Sequence, residues 1–438
     1  MLFEDGKFLC KGILLVIIVG VAIRLVSGIL LTYNYDVYHW TLTISNYEAG
    51  NGLYEVAGYY YTPVWGYILA TFAQFYEVLG IDMIGERFTE LLFVEDLTCI
   101  SPHTAFVTSI PFNASVTVML CLVDIASAYL VYWVVKEVFH DTLKAKICFT
   151  VFFLYSFLIV VSAIGGMFDP ISVLMTLLCV CLLLKGQEFL AGMMLSTVAL
   201  LKVFPAFLIF IFIAYVIVKH KDDWKPRIVK AIIGAGLALA VLMLPQVMDG
   251  TVADSFSFVL ARASSDTTLL ETIVKYSAII AYSLIILVNI VLAVFFLKRD
   301  HADIDRSFVI YTFLGLLVVF LNPGAPQYIL PMIPFLIMMA FCVDQRFRVP
   351  TFLLMVFASL YMLAPVAMDF SSMTVYTDLL SLDSFKAIYG IFDFELAGIN
   401  GFDVWNYTGN ILQCTGVILT AIVTLIWLRG DRTHSGQY

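Results

Sequence analysis

The run "KGILLVIIVGVAIRLVSGILLTYNYD", residues 11–36, is apolar over a membrane-crossing length and ends close to one carboxylate, Asp36. About 20 consecutive apolar residues cross a bilayer as a helix. Similar runs recur along the chain at 110–135, 147–165, 230–247, 271–297, 350–366 and 409–428. Of the 438 residues 62% are hydrophobic and 13% charged, against about 25% charged in soluble domains. The sequence therefore predicts an all-α, polytopic membrane protein.

The basic residues predict how the chain is oriented, because cytoplasmic loops are enriched in Lys and Arg. With the N-terminus inside, 18 of the 24 basic residues lie on the cytoplasmic side. The exceptions are Arg24, Arg87, Lys202, Arg262, Lys275 and Lys386. This orientation requires about twelve spans, both termini in the cytoplasm, and a juxtamembrane helix over 63–79 on the outer surface. The segments left outside are 33–109, 248–270, 322–326 and 367–408.

Further polar residues share the predicted outer boundary with Asp36. In "SAIGGMFDPISVLM", 162–175, Asp169 stands at a helix start, where the helix dipole favours a carboxylate. Lys202 divides an apolar stretch into pieces, 189–201 and 203–219, that span the membrane only if this lysine lies at the boundary. The turn "NPGAPQY" places Gln327 and Tyr328 at the same rim.

Each of these residues also has an ordinary structural interpretation. Asp36 fits a helix-end acid, Asp169 an N-terminal helix acid, Lys202 a lysine that snorkels to the interface, and Gln327 a helix cap. Two other charges lie near mid-membrane, at nearly equal depths: Arg24 roughly 20 Å and Asp124 roughly 17 Å from the inner ends of their spans. We expect them to form a buried structural ion pair.

The composition also excludes some classes of function. A net charge of -9 argues against a nucleic-acid partner. The Cys and His residues lack metal-site spacing, and the Cys positions predict no disulfide framework.

Five stretches, in order, resemble the GT-C superfamily of glycosyltransferases, and especially the polyprenyl-phosphate-mannose-dependent mannosyltransferases of the GPI and prokaryotic types. The first is the outer loop with Asp36, "GNGLYE" and "YYYTPVWGYIL"; the others are "LVDIASAYLVYWVVK", "AIGGMFDPISVLM", "LAGMMLSTVALLKVFPAFLIF" and "NPGAPQYILPMIPFL". The resemblance implies a GT-C-like catalytic module over 1–342, including outer loop 33–109. Residues 343–438 then form C-terminal membrane helices with outer loop 367–408, and 80–108 look like an insertion.

The resemblance implies inverting, metal-independent transfer of a hexose, with mannose expected, from a polyprenyl-phosphate sugar to an acceptor hydroxyl on the non-cytoplasmic face. No cofactor is expected. A hydroxyl needs a base as it attacks, so Asp36 is expected to be catalytic, with Asp169 as the second candidate. The leaving phosphate needs a cation, for which Lys202 is the candidate. The remaining expected substrate contacts are Gln327, Tyr328, Tyr61 and His39.

The expected partners are membrane lipids, the lipid-linked sugar, and a glycan, lipid or protein acceptor; an accessory subunit is left open. The expected location is the cell membrane of a prokaryote or the endoplasmic reticulum of a eukaryote. A transporter or flippase is the alternative function, in which Arg24, Asp124 and Lys202 would line a path. A non-catalytic scaffold is the third. The aromatic residues Tyr59, Tyr60, Tyr61 and Trp65 are expected to anchor the interface or to stack on a sugar.

Overall fold

The protein is described by a computed structural model covering residues 8–32, 34–54, 59, 61–80, 83–87, 106–256, 269–318, 326–363, 377, 379–381, 383–384, 387, 390 and 394–434. The helices of its first half are α1 Lys11–Leu30, α2 Asn34–Glu48, α3 Pro63–Leu79, α4 Ile110–Phe139, α5 Thr142–Phe153, α6 Ser156–Ile159, α7 Asp169–Leu184, α8 Glu188–Ala199 and α9 Ile209–Lys219. A π-helical turn, Val160–Ile164, extends α6, and a 3-10 turn, Phe204–Leu208, leads into α9.

The second half contains α10 Trp224–Asp249, α11 Leu269–Lys298, α12 Ile304–Leu317, α13 Ile333–Met338, α14 Arg348–Leu363 and α15 Gly401–His434. Short irregular helices, over Asp254–Phe256, Pro326–Met332, Met339–Val343 and Gln345–Phe347, connect or extend them. Two small antiparallel pairs are present, β1 Ile84–Arg87 with β2 Phe106–Thr108, and β3 Glu395–Leu396 with β4 Ile399–Asn400.

Among the described residues, six helical segments are long and apolar enough to cross a membrane: Lys11–Leu30, Ile110–Phe139, Trp224–Asp249, Pro326–Val343, Gln345–Leu363 and Asp403–Arg429. A seventh is the bent pair Thr142–Phe153 and Ser156–Ile164. The chain is an integral membrane protein built from helices, as the composition predicts. The expected total of about twelve spans is not confirmed by the described residues and stays a prediction.

The apolar run 147–165 is not one straight helix, because it bends by 45° between α5 and α6. Tyr155, at the break, takes an extended conformation with ψ 114°. Its buried hydroxyl donates to Thr351 O at 2.9 Å, which ties the break to α14. A hydropathy run reports length and not direction, so this bend is invisible in the sequence.

A second, smaller core beside the main helical core positions the candidate site. We call it the aromatic core; it includes Trp40 of α2, Trp65 of α3, Phe112 of α4 and Phe168 before α7. Helix α3 begins and ends where the sequence predicts, and its buried face contributes to this core. Whether α3 lies along the membrane surface stays a prediction.

Helices α8 and α10 cross very closely. A Cβ atom at Gly192 would overlap the carbonyl of Ala231, and one at Gly234 would overlap the carbonyl of Phe189. Small residues allow this approach between membrane helices. The crossing holds α8, whose C-terminal end leads to Lys202.

Candidate functional site

Lys202 lies where α8 gives way to the 3-10 turn before α9. Its backbone N–H still bonds to Val198 O at 2.7 Å, and Pro205 follows within that turn. The side chain is mostly buried, and its Nζ lies 3.1 Å from Asp169 Oδ1. The lysine predicted to need a partner at the boundary therefore has one.

Three aromatic rings surround the same ammonium. Nζ lies 4.6 Å from the ring centroid of Phe168, 4.7 Å from that of Tyr328 and 5.9 Å from that of Tyr61. Each distance is within the range of a cation–π interaction. Tyr61 and Tyr328, both predicted as substrate contacts, thus meet at Lys202.

Asp169 begins α7 and is followed by Pro170, as the helix-start interpretation predicts. It is also buried and paired with Lys202, so it serves both as a helix-start acid and as an ion-pair partner. Its carboxylate already has a short contact with an ammonium.

Asp36 lies in the first turn of α2, and two contacts hold this helix against the turn before α7. Trp40 Nε1 donates to Gly166 O at 3.1 Å. Gly166 has φ +57°, and a Cβ there would come within 2.6 Å of Val37 Cγ2. Glycine is required at this turn both for its conformation and for the approach of α2.

The Asp36 residue as a whole keeps some solvent exposure, but its carboxyl group is buried. Burial, and secondarily the charge of Asp169, raises the pKa of Asp36 to about 7, whereas Lys202 acts to lower it. The structure therefore brings Asp36, Asp169 and Lys202 into one electrostatic group, which we call the Asp–Lys site. A carboxyl with a pKa near neutrality suits a general base.

His39 and Gln327 are placed less decisively. His39 lies one turn after Asp36 on α2, and its ring centroid is 6.2 Å from that of Tyr38. Residues three apart share a helix face, so His39 and Asp36 are neighbours. Gln327 is partly exposed beside Tyr328 in the same 3-10 turn. Substrate contact by either residue stays a prediction.

The aromatic run behaves differently from both expectations. Trp65 is buried in the aromatic core and stacks on Phe168 with ring centroids 5.2 Å apart. Tyr59 is also buried, and its hydroxyl donates to Thr62 O at 2.8 Å. Neither is available as an interface anchor or as a sugar platform. Tyr61 remains beside Lys202, and Tyr60 lies outside the described residues.

Arg24 and Asp124 are in contact, as their equal depth predicts. Arg24 Nε donates to Asp124 Oδ2 at 2.7 Å, and both side chains are fully buried. Ser162 Oγ donates to the same oxygen at 2.7 Å, and the guanidinium lies 4.3 Å from the ring centroid of Phe153. The pair links α1 to α4 and to the π-helical turn. Its contribution to stability stays a prediction.

Phe168 is the site residue that the sequence did not indicate. Its ring contacts Lys202, Trp40, Tyr61 and Trp65, so it joins the ammonium to the aromatic core. A phenylalanine beside an Asp-Pro helix start carries no distinguishing signal, since Phe is abundant in this chain.

A comparison with models of known protein families and with curated proteins gives no match to this chain. The functional interpretation therefore depends on the motifs and on the geometry of the Asp–Lys site.

Proposed function

We propose that the chain is an inverting membrane glycosyltransferase that moves a hexose, with mannose expected, from a polyprenyl-phosphate sugar to an acceptor hydroxyl. The observation that carries this proposal is the Asp–Lys site itself. The Asp36 carboxyl group and the mostly buried Lys202 ammonium meet from segments far apart in the sequence. Base and cation are the two groups that such a transfer needs.

In the proposed step the acceptor oxygen attacks the anomeric carbon while its proton passes to Asp36. The bond between the anomeric carbon and the phosphate oxygen breaks, and the phosphate leaves with the bonding electrons. The donor phosphate carries one negative charge and the leaving polyprenyl phosphate gains a second. Asp36 loses its charge as the phosphate gains one, so the total charge beside Lys202 is conserved.

Lys202 suits the phosphate because an ammonium has three donors. Asp169 takes one direction of approach, at 3.1 Å, and a phosphate would be bound by the other hydrogens of the ammonium. Charge-assisted hydrogen bonds of this type strengthen as negative charge develops on the phosphate. No metal or cofactor is required by this step, because a phosphate monoester is already a good leaving group.

The short helices that end at the site support a lipid-linked donor. Helices α7 and α8 have 16 and 12 residues. Their rise is roughly 24 and 18 Å, against roughly 30 Å for the hydrocarbon core of a bilayer. Asp169 and Lys202 at their ends would therefore lie within reach of a phosphate at the membrane boundary.

An apolar cleft between α7, α8, α9 and α10 fits the donor's isoprenoid chain. Its wall includes Leu195, Ile209, Ile213 and Ile232. Ile209 begins α9 directly after the turn that follows Lys202, and the cleft continues along α9 to Val216. The lining begins at Leu195 and Ile209, each seven residues from Lys202 along the chain, so a chain attached to a phosphate at Lys202 would reach this cleft only after its first isoprene units.

The proposal includes the expected topology, with about twelve spans, both termini in the cytoplasm and the Asp–Lys site on the non-cytoplasmic face. Partners are then the lipid-linked sugar, membrane lipids and a glycan, lipid or protein acceptor. The contacts of Arg24 disfavour the transporter alternative. Its guanidinium and the Asp124 carboxylate are fully buried and paired with each other, as in a structural ion pair.

The proposal is tested by reconstituting the purified protein in lipid vesicles with a panel of polyprenyl-phosphate hexoses. Acceptors would include short mannosides, a glycolipid and a peptide, with water as the default acceptor. We expect release of polyprenyl phosphate with one hexose and no equivalent release from vesicles without protein. The proposed function would be contradicted if none of the donors were turned over by protein that a thermal unfolding measurement shows to be folded.

A further inference from the structure

The Asp–Lys site contains two carboxylates, whereas the proposed reaction uses one as a base. Asp169 cannot be explained as a helix-start acid alone, since its Oδ1 is 3.1 Å from Lys202 Nζ. It is buried, and the adjacent Phe168 ring lies 4.6 Å from the same ammonium. The position of Lys202 is thus set by two consecutive residues at the start of α7.

An ammonium beside a catalytic carboxylate creates a physical conflict. The cation is needed for the phosphate, but a positive charge within a few ångströms stabilises the ionised carboxylate and makes it a weaker base. A second carboxylate that pairs with the ammonium offsets this effect. It also repels the charged form of the first carboxylate, which strengthens that group as a base.

We propose that Asp169 is a positioning residue of the reaction: its carboxylate holds the Lys202 ammonium among the three rings and offsets the positive charge that Lys202 brings to the site. This inference rests on the proposed function. It assigns a separate task to each acid, so that Asp36 contacts the acceptor while Asp169 acts through Lys202 and through its charge.

The charges around Asp36 agree with this division. Asp169 from α7 and Lys202 from the end of α8 act on it with opposite signs, and Asp169 has the larger effect of the two. His39 is the titratable neighbour on α2 itself, and Tyr61 and Tyr328 bring their rings to the ammonium. Burial remains the largest reason why the pKa of Asp36 is raised to about 7.

The first arm of the test needs no activity. The carboxyl stretch of protonated Asp36 is followed by infrared difference spectroscopy against pH, and Asp36→Asn identifies the band. Asp169→Asn should move the Asp36 titration to lower pH, on the order of one pH unit. Lys202→Met should move it in the opposite direction, and the double variant Asp169→Asn/Lys202→Met should titrate at lower pH than Lys202→Met, which keeps the test decisive if Asp169→Asn alone does not fold. An unmoved titration in the folded variants would overturn the inference.

The second arm uses turnover at saturating donor. Because Asp36 must be ionised to act as a base, turnover falls as the pH falls below its pKa, and Asp169→Asn should shift this acid limb to lower pH. Plateau turnover should fall at least tenfold, as Lys202 is no longer held, and Asp169→Glu should restore part of it. Asp141→Asn is the matched control, because Asp141 also stands at a helix start and pairs with a lysine, Lys144.

The outcomes separate the two proposals. If the wild-type chain transfers a hexose and the Asp169→Asn variant has the same acid limb in its pH profile, the role of Asp169 alone is overturned. Absence of transfer by the wild-type chain with every donor would overturn the proposed function, and the role of Asp169 with it, even if the infrared titration shifts as expected.

Discussion

Lys202 Nζ lies 3.1 Å from Asp169 Oδ1, although the two residues come from the ends of different helices. The pair is mostly buried and faces a third charged group, Asp36 of α2. It therefore joins the ends of two apolar helices, α7 and α8, beside a helix of the predicted first outer loop.

The first prediction concerns the donor phosphate. Lys202→Ala should weaken binding of a polyprenyl-phosphate hexose by roughly 10- to 100-fold, the loss of a charge-assisted hydrogen bond. Lys202→Arg should keep part of the affinity, because it retains the charge but differs in shape. Equilibrium binding to protein in lipid nanodiscs measures both.

Lys185→Ala is the matched control, because the Lys185 ammonium also lies over a ring, that of Trp133, at 4.8 Å. It should leave donor affinity unchanged. Equal affinity of the Lys202→Ala variant and the wild type would show that Lys202 only snorkels to the interface.

The second prediction concerns the apolar cleft. Ile232 and Ile233 are adjacent on α10 and both largely exposed, but only Ile232 lines the cleft. Ile232→Trp should fill it and raise the KM for a long-chain donor about tenfold, with little effect on a donor of two isoprene units. Ile233→Trp should have no such selectivity. The same KM ratio in both variants would exclude the cleft as the site of the isoprenoid chain.

The third prediction concerns the Arg24–Asp124 pair. Arg24→Met or Asp124→Leu alone should lower the free energy of unfolding by about 3–5 kcal/mol, because each leaves an uncompensated buried charge. The double variant should recover part of this loss, which is measured by thermal unfolding in detergent. Losses that simply add in the double variant would argue against a structural ion pair.

The equal depth of Arg24 and Asp124 could be read from the sequence because the rise per residue of a helix is fixed. The same reasoning placed Asp169 and Lys202 at one boundary. Depth along a helix axis says nothing about which helices are neighbours or how they are rotated. Contacts of that kind, such as Trp40 with Gly166 or Phe168 with Lys202, had no signal in the sequence.

Local backbone geometry was equally hard to foresee. The 45° bend lies at Tyr155, whose hydroxyl bonds to Thr351, almost 200 residues away in the chain. α2 approaches closely at Gly166, which has a left-handed conformation. The sequence alone does not show which glycine has this conformation, because glycine adopts it readily in many turns. Both features reflect packing between distant segments and not local propensity.

The fourth prediction concerns topology. Residues 222 and 390 are both exposed, and the proposed orientation puts 222 in the cytoplasm and 390 outside. In a background without Cys99 and Cys414, Gly390→Cys should react with an impermeant thiol reagent in intact cells, and Asp222→Cys should react only after permeabilisation. The reverse pattern would invert the whole topology.

Asp36 as the general base is tested most directly by turnover of Asp36→Asn at saturating donor. The amide keeps the size of the side chain but cannot take the proton, so we expect turnover to fall by roughly 10²- to 10⁴-fold, with thermal stability and donor binding close to those of the wild type. The wild type should lose activity as the pH falls through about 7, the pKa of Asp36. Near-normal transfer by folded Asp36→Asn would contradict the assignment.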